Sequence, residues 1–441
     1  MTVAADLLYS DTERTLASAL ADLLSSRAAV TDVLARTEKP ETYDADLWRT
    51  IAADIGLAGL LIPEALGGAG ASYRELAAAA ETFGAALAPV PYLGSAAVAT
   101  AVLLSAARSS AVSPAPPAAS PPHAAGAPGA AAFGAPAAAR TEPVAADRVA
   151  PISPAADLLR RMAEGGLTAA LAIEFAARPG LTGGIEGQPP ASQQSPPFPA
   201  AVRVAGPGDL AAGTIRLRGT IPAVADALPA DVLLVPAEGV PNAVYLVEAT
   251  APGVHRTPVV SLDMTRQLCD ISLDDAPARQ IAAAAAAEAA VDAGLTAGAA
   301  VLAAEQLGLA QRCLDMTVGY LKERRQFARP IGSFQALKHR LADLWTMITL
   351  ARAASRYAAA CLADGDPDAP VAVALAKSAC CEAAVTAAQE CVQLHGGIGF
   401  TWEHPAHLYL KRAKAASIGF GTPGAHLAAL AGLVNLPAPE A

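Results

Sequence analysis

Arg324-Arg325-Gln326-Phe327-Ala328-Arg329-Pro330-Ile331-Gly332-Ser333-Phe334-Gln335 separates two long alanine-rich stretches. It gathers three arginines, two phenylalanines and two glutamines into one turn. Guanidinium forks match phosphate oxygens, and an aromatic ring stacks on a planar heterocycle. The helix that follows adds free N–H donors at its start, with Ser333 placed to cap it after Pro330. The same residues also read as a plain basic turn with Phe327 and Phe334 in the core. Either way, the pattern predicts a long helix on each side.

Downstream, Leu337, Leu341, Leu344, Trp345 and Ile348 recur at helical spacing and predict one apolar face. Residues 282–322, 334–363 and 370–394 are each long enough for an antiparallel bundle, which sets a helical domain at 279–436. The third segment ends in Gln393-Leu394-His395-Gly396-Gly397-Ile398-Gly399-Phe400-Thr401-Trp402-Glu403-His404. Its glycines let the backbone approach a ligand closely, or let two helices turn tightly. His395, His404 and His407 lack the acidic ligands and helix register of a metal site, so no metal is expected.

Upstream the period changes. Thr214–Gly219 alternates, and Asp231–Val235 and Ala243–Val247 are short apolar runs between turns, which predicts a β-domain over 161–278. Residues 108–160 are rich in Ala, Pro and Gly without periodicity and read as a flexible insertion. A second low-complexity patch covers 183–199. Residues 1–107 return to helix. Ser72-Tyr73-Arg74-Glu75 reads as a capping box opening a helix that runs through Phe83. The order is a helical domain, the insertion, a β-domain and a helical bundle.

A formal charge of −10 without a Lys/Arg cluster argues against nucleic acid and against an anionic membrane surface. No run reaches transmembrane length on this reading, and Met1–Thr15 lacks the basic start and apolar core of a signal peptide. The six cysteines form no CxxC pair, so buried thiols in a reducing cytoplasm are expected.

The two turns, their separation and the helices between them resemble the acyl-CoA dehydrogenase family. Leu47-Trp48, and Gly56 through Gly70, resemble that family's entry helices and loop, and Thr257–Arg266 the end of its β-domain. The resemblance covers most of the chain outside 108–160 and 181–205. It implies a mainly α fold with a central β-domain: an N-terminal helical domain, a small β-barrel-like domain and a C-terminal four-helix bundle. It also implies FAD at a subunit interface. Carried over, Arg324, Phe327 and Gln335 would contact the adenosine diphosphate half of FAD, with Gln393 and Gly397 lining the neighbouring part. The family has Gly after the Phe, where this chain has Ala328.

The family reaction is α,β-dehydrogenation of an acyl-CoA, in which a desolvated carboxylate removes the α-proton and the flavin takes the β-hydrogen as hydride. Many members carry that base in a Tyr-Glu-Gly-Thr-like turn; here Phe420 stands in its place. Others carry it on the first bundle helix; here that position is Gly298. Glu305 is the weak remaining candidate, with pairing to an Arg across the bundle as its structural alternative. The segment offered to the flavin ring reads Ile173–Gly180, and the following strand carries Pro222, which has no N–H.

The chain therefore resembles the base-lacking subunits of heteromeric, sterol side-chain-type acyl-CoA dehydrogenases. Its implied partners are the acyl-CoA substrate and a second, base-bearing subunit in a heterotetramer. Electron-transfer flavoprotein is the implied acceptor. The alternatives are a self-sufficient homo-oligomer with a relocated base, and a non-catalytic acyl-CoA-binding or scaffold protein.

Overall fold

The computed structural model describes residues 7–39, 41, 43–112, 153–180, 198, 201–208 and 213–436. Helices α1 (Asp11–Arg27), α2 (Val30–Thr37), α3 (Ala45–Arg49), α4 (Tyr73–Ala86), α5 (Thr100–Val112) and α6 (Pro154–Ala163) come first. Seven strands follow: β1 (Ala169–Leu171), β2 (Val202–Pro207), β3 (Thr214–Ala225), β4 (Val232–Ala237), β5 (Ala243–Glu248), β6 (Val254–Val259) and β7 (Leu268–Ala283). Then come α7 (Ala285–Glu323), α8 (Gln335–Asp364), α9 (Ala369–His395), α10 (Ala406–Ala416) and α11 (Pro423–Leu433).

The strands form one sheet in the order β1-β4-β5-β7-β3-β2, with β6 also paired to β7. Strand β1 runs parallel to β4, and the other pairs are antiparallel. Strands β4 and β5 are buried on both faces, which is why they read as unbroken apolar runs. Val232, Leu234, Val244 and Leu246 join the core shared with the helices, while Leu233, Val235, Tyr245 and Val247 fill the β-domain's own core.

Alanine decides how the helices meet. Small side chains let helix axes approach, and the close crossing of α4 on α7 is set by Gly84 and Gly308. A Cβ on Gly84 would overlap the Glu305 carbonyl, and one on Gly308 the Glu81 carbonyl. Both obstacles are backbone and cannot swing aside. Gly308→Ala should therefore destabilise the protein by ~1–3 kcal/mol, read by urea unfolding. An unchanged midpoint would show that the helices separate freely.

The Ser72 capping box forms, with the Glu75 carboxylate accepting from the Ser72 N–H at 2.9 Å. Several expectations need correcting. Ser333 does not cap α8: it lies in a short 3-10 turn, its hydroxyl donating to the Pro330 carbonyl, and Phe334 takes the cap position. Trp345 is 58% exposed, so the apolar face of α8 is only partly core. Helix α7 and the run Ala369–Phe400 are long and apolar enough to cross a membrane, contrary to the sequence expectation. Their apolar windows are 61% and 67% buried inside the chain, as bundle-core helices are. Helices α5 and α6 extend into the two ends of the 108–160 segment, and 113–152 lies outside the described residues, as does most of the 183–199 patch. All six cysteines are buried free thiols.

Candidate functional site

The end of α7, the start of α8 and the end of α9 meet at one end of the bundle. Tyr320 stacks on His395 with ring centres 4.6 Å apart, and Arg340 reaches Glu390 at 2.7 Å. Arg324, Phe327, Gln335, Gln393 and Gly397 all belong to this end, and all five are exposed. Between α7 and α8, Arg325–Gln326 pairs with Arg329–Pro330 as a tiny hairpin. Its two loop residues, Phe327 and Ala328, both have positive φ, 52° and 60°, the geometry of a type I′ turn. Ala328 thus adopts a backbone region that glycine occupies more easily.

This turn holds Phe327 outward at 85% exposure, so it is not a core residue. Phe334 is half-buried, with the Arg329 guanidinium 3.9 Å from its ring centre. Among the described residues, no carboxylate pairs with Arg324, Arg325 or Arg329. Unpaired guanidiniums beside an outward aromatic ring suit a diphosphate and a flat heterocycle. The donor set fits the adenosine diphosphate half of FAD, which supplies a hydride acceptor when bound.

A second constellation lies where the sequence lacked its base. The Phe420 ring meets Phe175 edge-on at 5.6 Å, and both are buried. A Cβ added to Gly298 would stand 2.6 Å from the same Phe420 ring. Positions 298 and 420, where the family resemblance looks for a base, therefore touch, with the Phe175 ring packed against Phe420. Phe420 sits at φ 51°, a strained value for a bulky residue. Its N–H donates to the Phe175 carbonyl and its carbonyl accepts from His426 Nε2, each at 2.8 Å. Burial lowers the His426 pKa to about 4, which keeps that ring neutral. Lys377, fully buried, donates to the Ala416 carbonyl at 3.1 Å and fixes the chain entering the turn. Its own pKa is lowered by burial to about 8.

Glu305, the weak base candidate, lies behind the Phe175–Phe420 pair, with its partner Arg266 placing a guanidinium 5.6 Å from the Phe175 ring centre. It is 3% exposed, and its two carboxylate oxygens are taken by Arg266 and by Arg412 Nε at 2.9 Å. Arg412 also binds Asp263 at 3.0 Å. Burial alone would raise the Glu305 pKa, but the charges of Arg266 and Arg412 outweigh it and hold the carboxyl below its ordinary value. A carboxylate so paired is a poor proton acceptor, and it ties α7, α10 and the segment before β7 together.

The main cleft measures about 1790 Å³, wider than the usual ~300–1,000 Å³ of small-molecule pockets. It lies between the N-terminal helices (Leu61, Tyr73, Leu104), the β-domain (Ile173, Ile221, Pro222) and residues 285–296 of α7. Asp292 lines it, accepting from the Gly180 N–H at 2.6 Å. Burial raises the Asp292 pKa against that hydrogen bond. The wall where a flavin ring would be bonded is poor in donors. Pro222 has none, and the Phe175 N–H is spent on the Ala223 carbonyl at 3.1 Å.

Comparison with known proteins is consistent across the chain. Residues 10–109 match the acyl-CoA dehydrogenase N-terminal domain and residues 288–432 the acyl-CoA dehydrogenase C-terminal domain. The acyl-CoA dehydrogenase IpdE2 of Mycobacterium tuberculosis is 31% identical over 403 residues, covering 91% of each chain. The ChsE4-ChsE5 complex from the same organism contains a chain 26% identical, with a TM-score of 0.73 over 98% of this chain and 100% of that one. A variant of the Tcur3481-Tcur3483 steroid ACAD is 27% identical, with a TM-score of 0.71 over 96% of this chain and 98% of that one.

Proposed function

The chain belongs to the acyl-CoA dehydrogenase family, and from that premise we propose that it is the base-lacking subunit of a heteromeric acyl-CoA dehydrogenase. The family is FAD-dependent. One observation carries the proposal: Gly298 and Phe420, the two positions where a base is looked for, meet in a closed aromatic contact instead of a carboxylate. The partner subunit supplies the proton acceptor and the acyl-CoA pocket, in a heterotetramer; the heteromeric assemblies among the similar structures support a mixed assembly. Electrons pass on to an electron-transfer flavoprotein in the cytoplasm.

Arg324, Phe327, Gln335, Gln393 and Gly397 hold the adenosine diphosphate half of FAD in this reading. Their exposure at one end of the bundle supports a site that a second subunit completes. The donor-poor wall at Pro222 favours a flavin-ring pocket contributed by that partner. Arg324→Ala should weaken FAD retention in the complex by ~10–100-fold, as for loss of a charge-assisted hydrogen bond. Flavin released on dialysis reads this directly, and unaltered retention would remove Arg324 from the site.

The test is to express the chain alone and beside a base-bearing acyl-CoA dehydrogenase, then to weigh the assembly and count its flavin. A mixed assembly carrying flavin supports the proposal. A chain that assembles only with itself and holds a full flavin complement overturns it, and returns the self-sufficient reading.

A further inference from the structure

Lys377 lies on α9 with none of its surface exposed, and the heteromeric reading gives it no task. Its neighbours come from three other helices. Glu305 and Gln306 stand on α7, Ala416 ends α10, and His426 lies on α11. Among the described residues no carboxylate pairs with the Lys377 nitrogen, and Glu305 is held by Arg266 and Arg412. Two acceptors face that nitrogen: the Ala416 carbonyl at 3.1 Å and the Gln306 side-chain oxygen at 3.5 Å. An ammonium carries three hydrogens, a neutral amine two. The site is therefore complete for the amine and one acceptor short for the ammonium. A buried N–H without an acceptor costs the full desolvation of that group.

The groups around the lysine are unmatched as well. His426 is 1% exposed, and its Nε2 donates to the Phe420 carbonyl at 2.8 Å. In the neutral ring Nδ1 is then a bare acceptor, and among the described residues it has no partner. Gln306, also 1% exposed, leaves its Nε2 donor without a partner in the same way. Unmatched buried polar atoms on two helices beside a lysine are places where water binds once the packing loosens. The element they hold is the turn that carries Phe420. Lys377 and His426 grip its two ends, at the carbonyls of Ala416 and Phe420, and Phe420 is held at φ 51°.

We propose that Lys377 is a positioning residue that makes the turn over the base position sensitive to protons: as the neutral amine it clamps residues 416–421 closed, and on taking up a proton it lets them open more often. The inference goes beyond the heteromeric reading and does not rest on it, because every group involved belongs to this chain. Burial lowers the Lys377 pKa from 10.5 to about 8, in agreement with the count of hydrogens. Opening returns the amine to water and to its ordinary value. Between the two values the open turn binds more protons than the closed one, so closure strengthens as pH rises from 7 to 9. The other groups facing the lysine do not imitate this. Burial lowers the His426 pKa to about 4, and Glu305 is held below its ordinary value by its arginines. Burial pushes the Cys380 and Cys381 thiols up, which acts with the opposite sign. Arg178 near His426 and Lys414 near Cys381 are exposed cations.

Hydrogen exchange of the full chain, read by mass spectrometry on peptides covering 416–426, is the test. Rates are divided by those of unstructured peptides at the same pH, which removes the intrinsic pH dependence. Protection of this segment should rise roughly tenfold from pH 7 to pH 9, while β4 and β5 keep theirs. That arm uses the unaltered protein and does not depend on a variant folding. Lys377→Met has no proton to exchange and should give a flat profile. Lys377→Arg stays charged throughout and should also be flat, at or below the protection of the unaltered turn at pH 7. A lysine with a merely structural role would lower protection in the variants and leave the unaltered protein without a pH profile. Equal protection of the unaltered turn at pH 7 and pH 9 would overturn the proposal. So would a rise shared by β4 and β5, which makes the effect global, or a tenfold rise that survives Lys377→Met, which assigns the titration to another group.

Discussion

Replacing Arg412 by alanine lowers folding stability by ~3–5 kcal/mol, the usual cost of removing one partner from a buried ion pair. Arg412 is 3% exposed and holds two carboxylates, Glu305 and Asp263, which come from α7 and from the segment before β7. Without it, among the described residues, Asp263 keeps the Thr265 N–H and hydroxyl, and Glu305 keeps Arg266. Two buried negative charges are then under-compensated. The effect is also pH-dependent, because the folded Glu305 pKa lies below its ordinary value. The stabilisation is present above the unfolded pKa and is lost as pH falls through the folded one. Urea unfolding across the acid range should show the unaltered protein losing more stability than Arg412→Ala. Parallel curves would mean that Glu305 draws nothing from Arg412.

Restoring a carboxylate at the family position does not restore a base. Phe420→Glu should cost ~3–5 kcal/mol, the price of emptying a buried phenylalanine site, and should yield no turnover by the chain alone. The new carboxyl would face Phe175 and Gly298, and the nearby Arg266 guanidinium, 5.6 Å from the Phe175 ring centre, is already committed to Glu305. Burial would raise its pKa and favour the neutral acid. The backbone would still be held at positive φ by His426 and Phe175. Thermal melting and a dye-linked dehydrogenase assay check both parts. A stable variant that turns over acyl-CoA would show that one substitution separates this chain from an ordinary member of its family.

How far the sequence reaches depends on the range of the interactions involved. Local signals were legible. The Ser72–Glu75 capping box, the alternation of β3 and the long helices 285–323, 335–364 and 369–395 follow from short-range periodicity. Ser333 misled, because a serine beside a helix start competes with a 3-10 turn that takes its hydroxyl first. Trp345 misled for a different reason. Helical spacing gives the face of a residue but not what covers it, and no described residue covers that part of α8. The apolar length of α7 and α9 was underread because alanine contributes hydropathy without bulk.

The candidate site divides in the same way. The arginine-rich turn and the glycine turn were visible because each is contiguous in sequence. That positions 298 and 420 touch was not visible, since 121 intervening residues have to fold before Phe420 meets Gly298. The partners of Glu305 lie 39 and 107 residues away, beyond any local pattern. The open cleft beside a filled base site is likewise a property of packing, and no motif marks it.

Anaerobic addition of acyl-CoA, followed by the flavin absorbance, tests the central claim most directly. The chain expressed alone should show no flavin band that substrate bleaches. The assembly with a base-bearing partner should bleach, should lose the response when the partner's proton-accepting carboxylate is replaced by its amide, and should keep it with Glu305→Gln in this chain. A lone chain that is yellow and bleaches with acyl-CoA would contradict the account, because it would own a complete site.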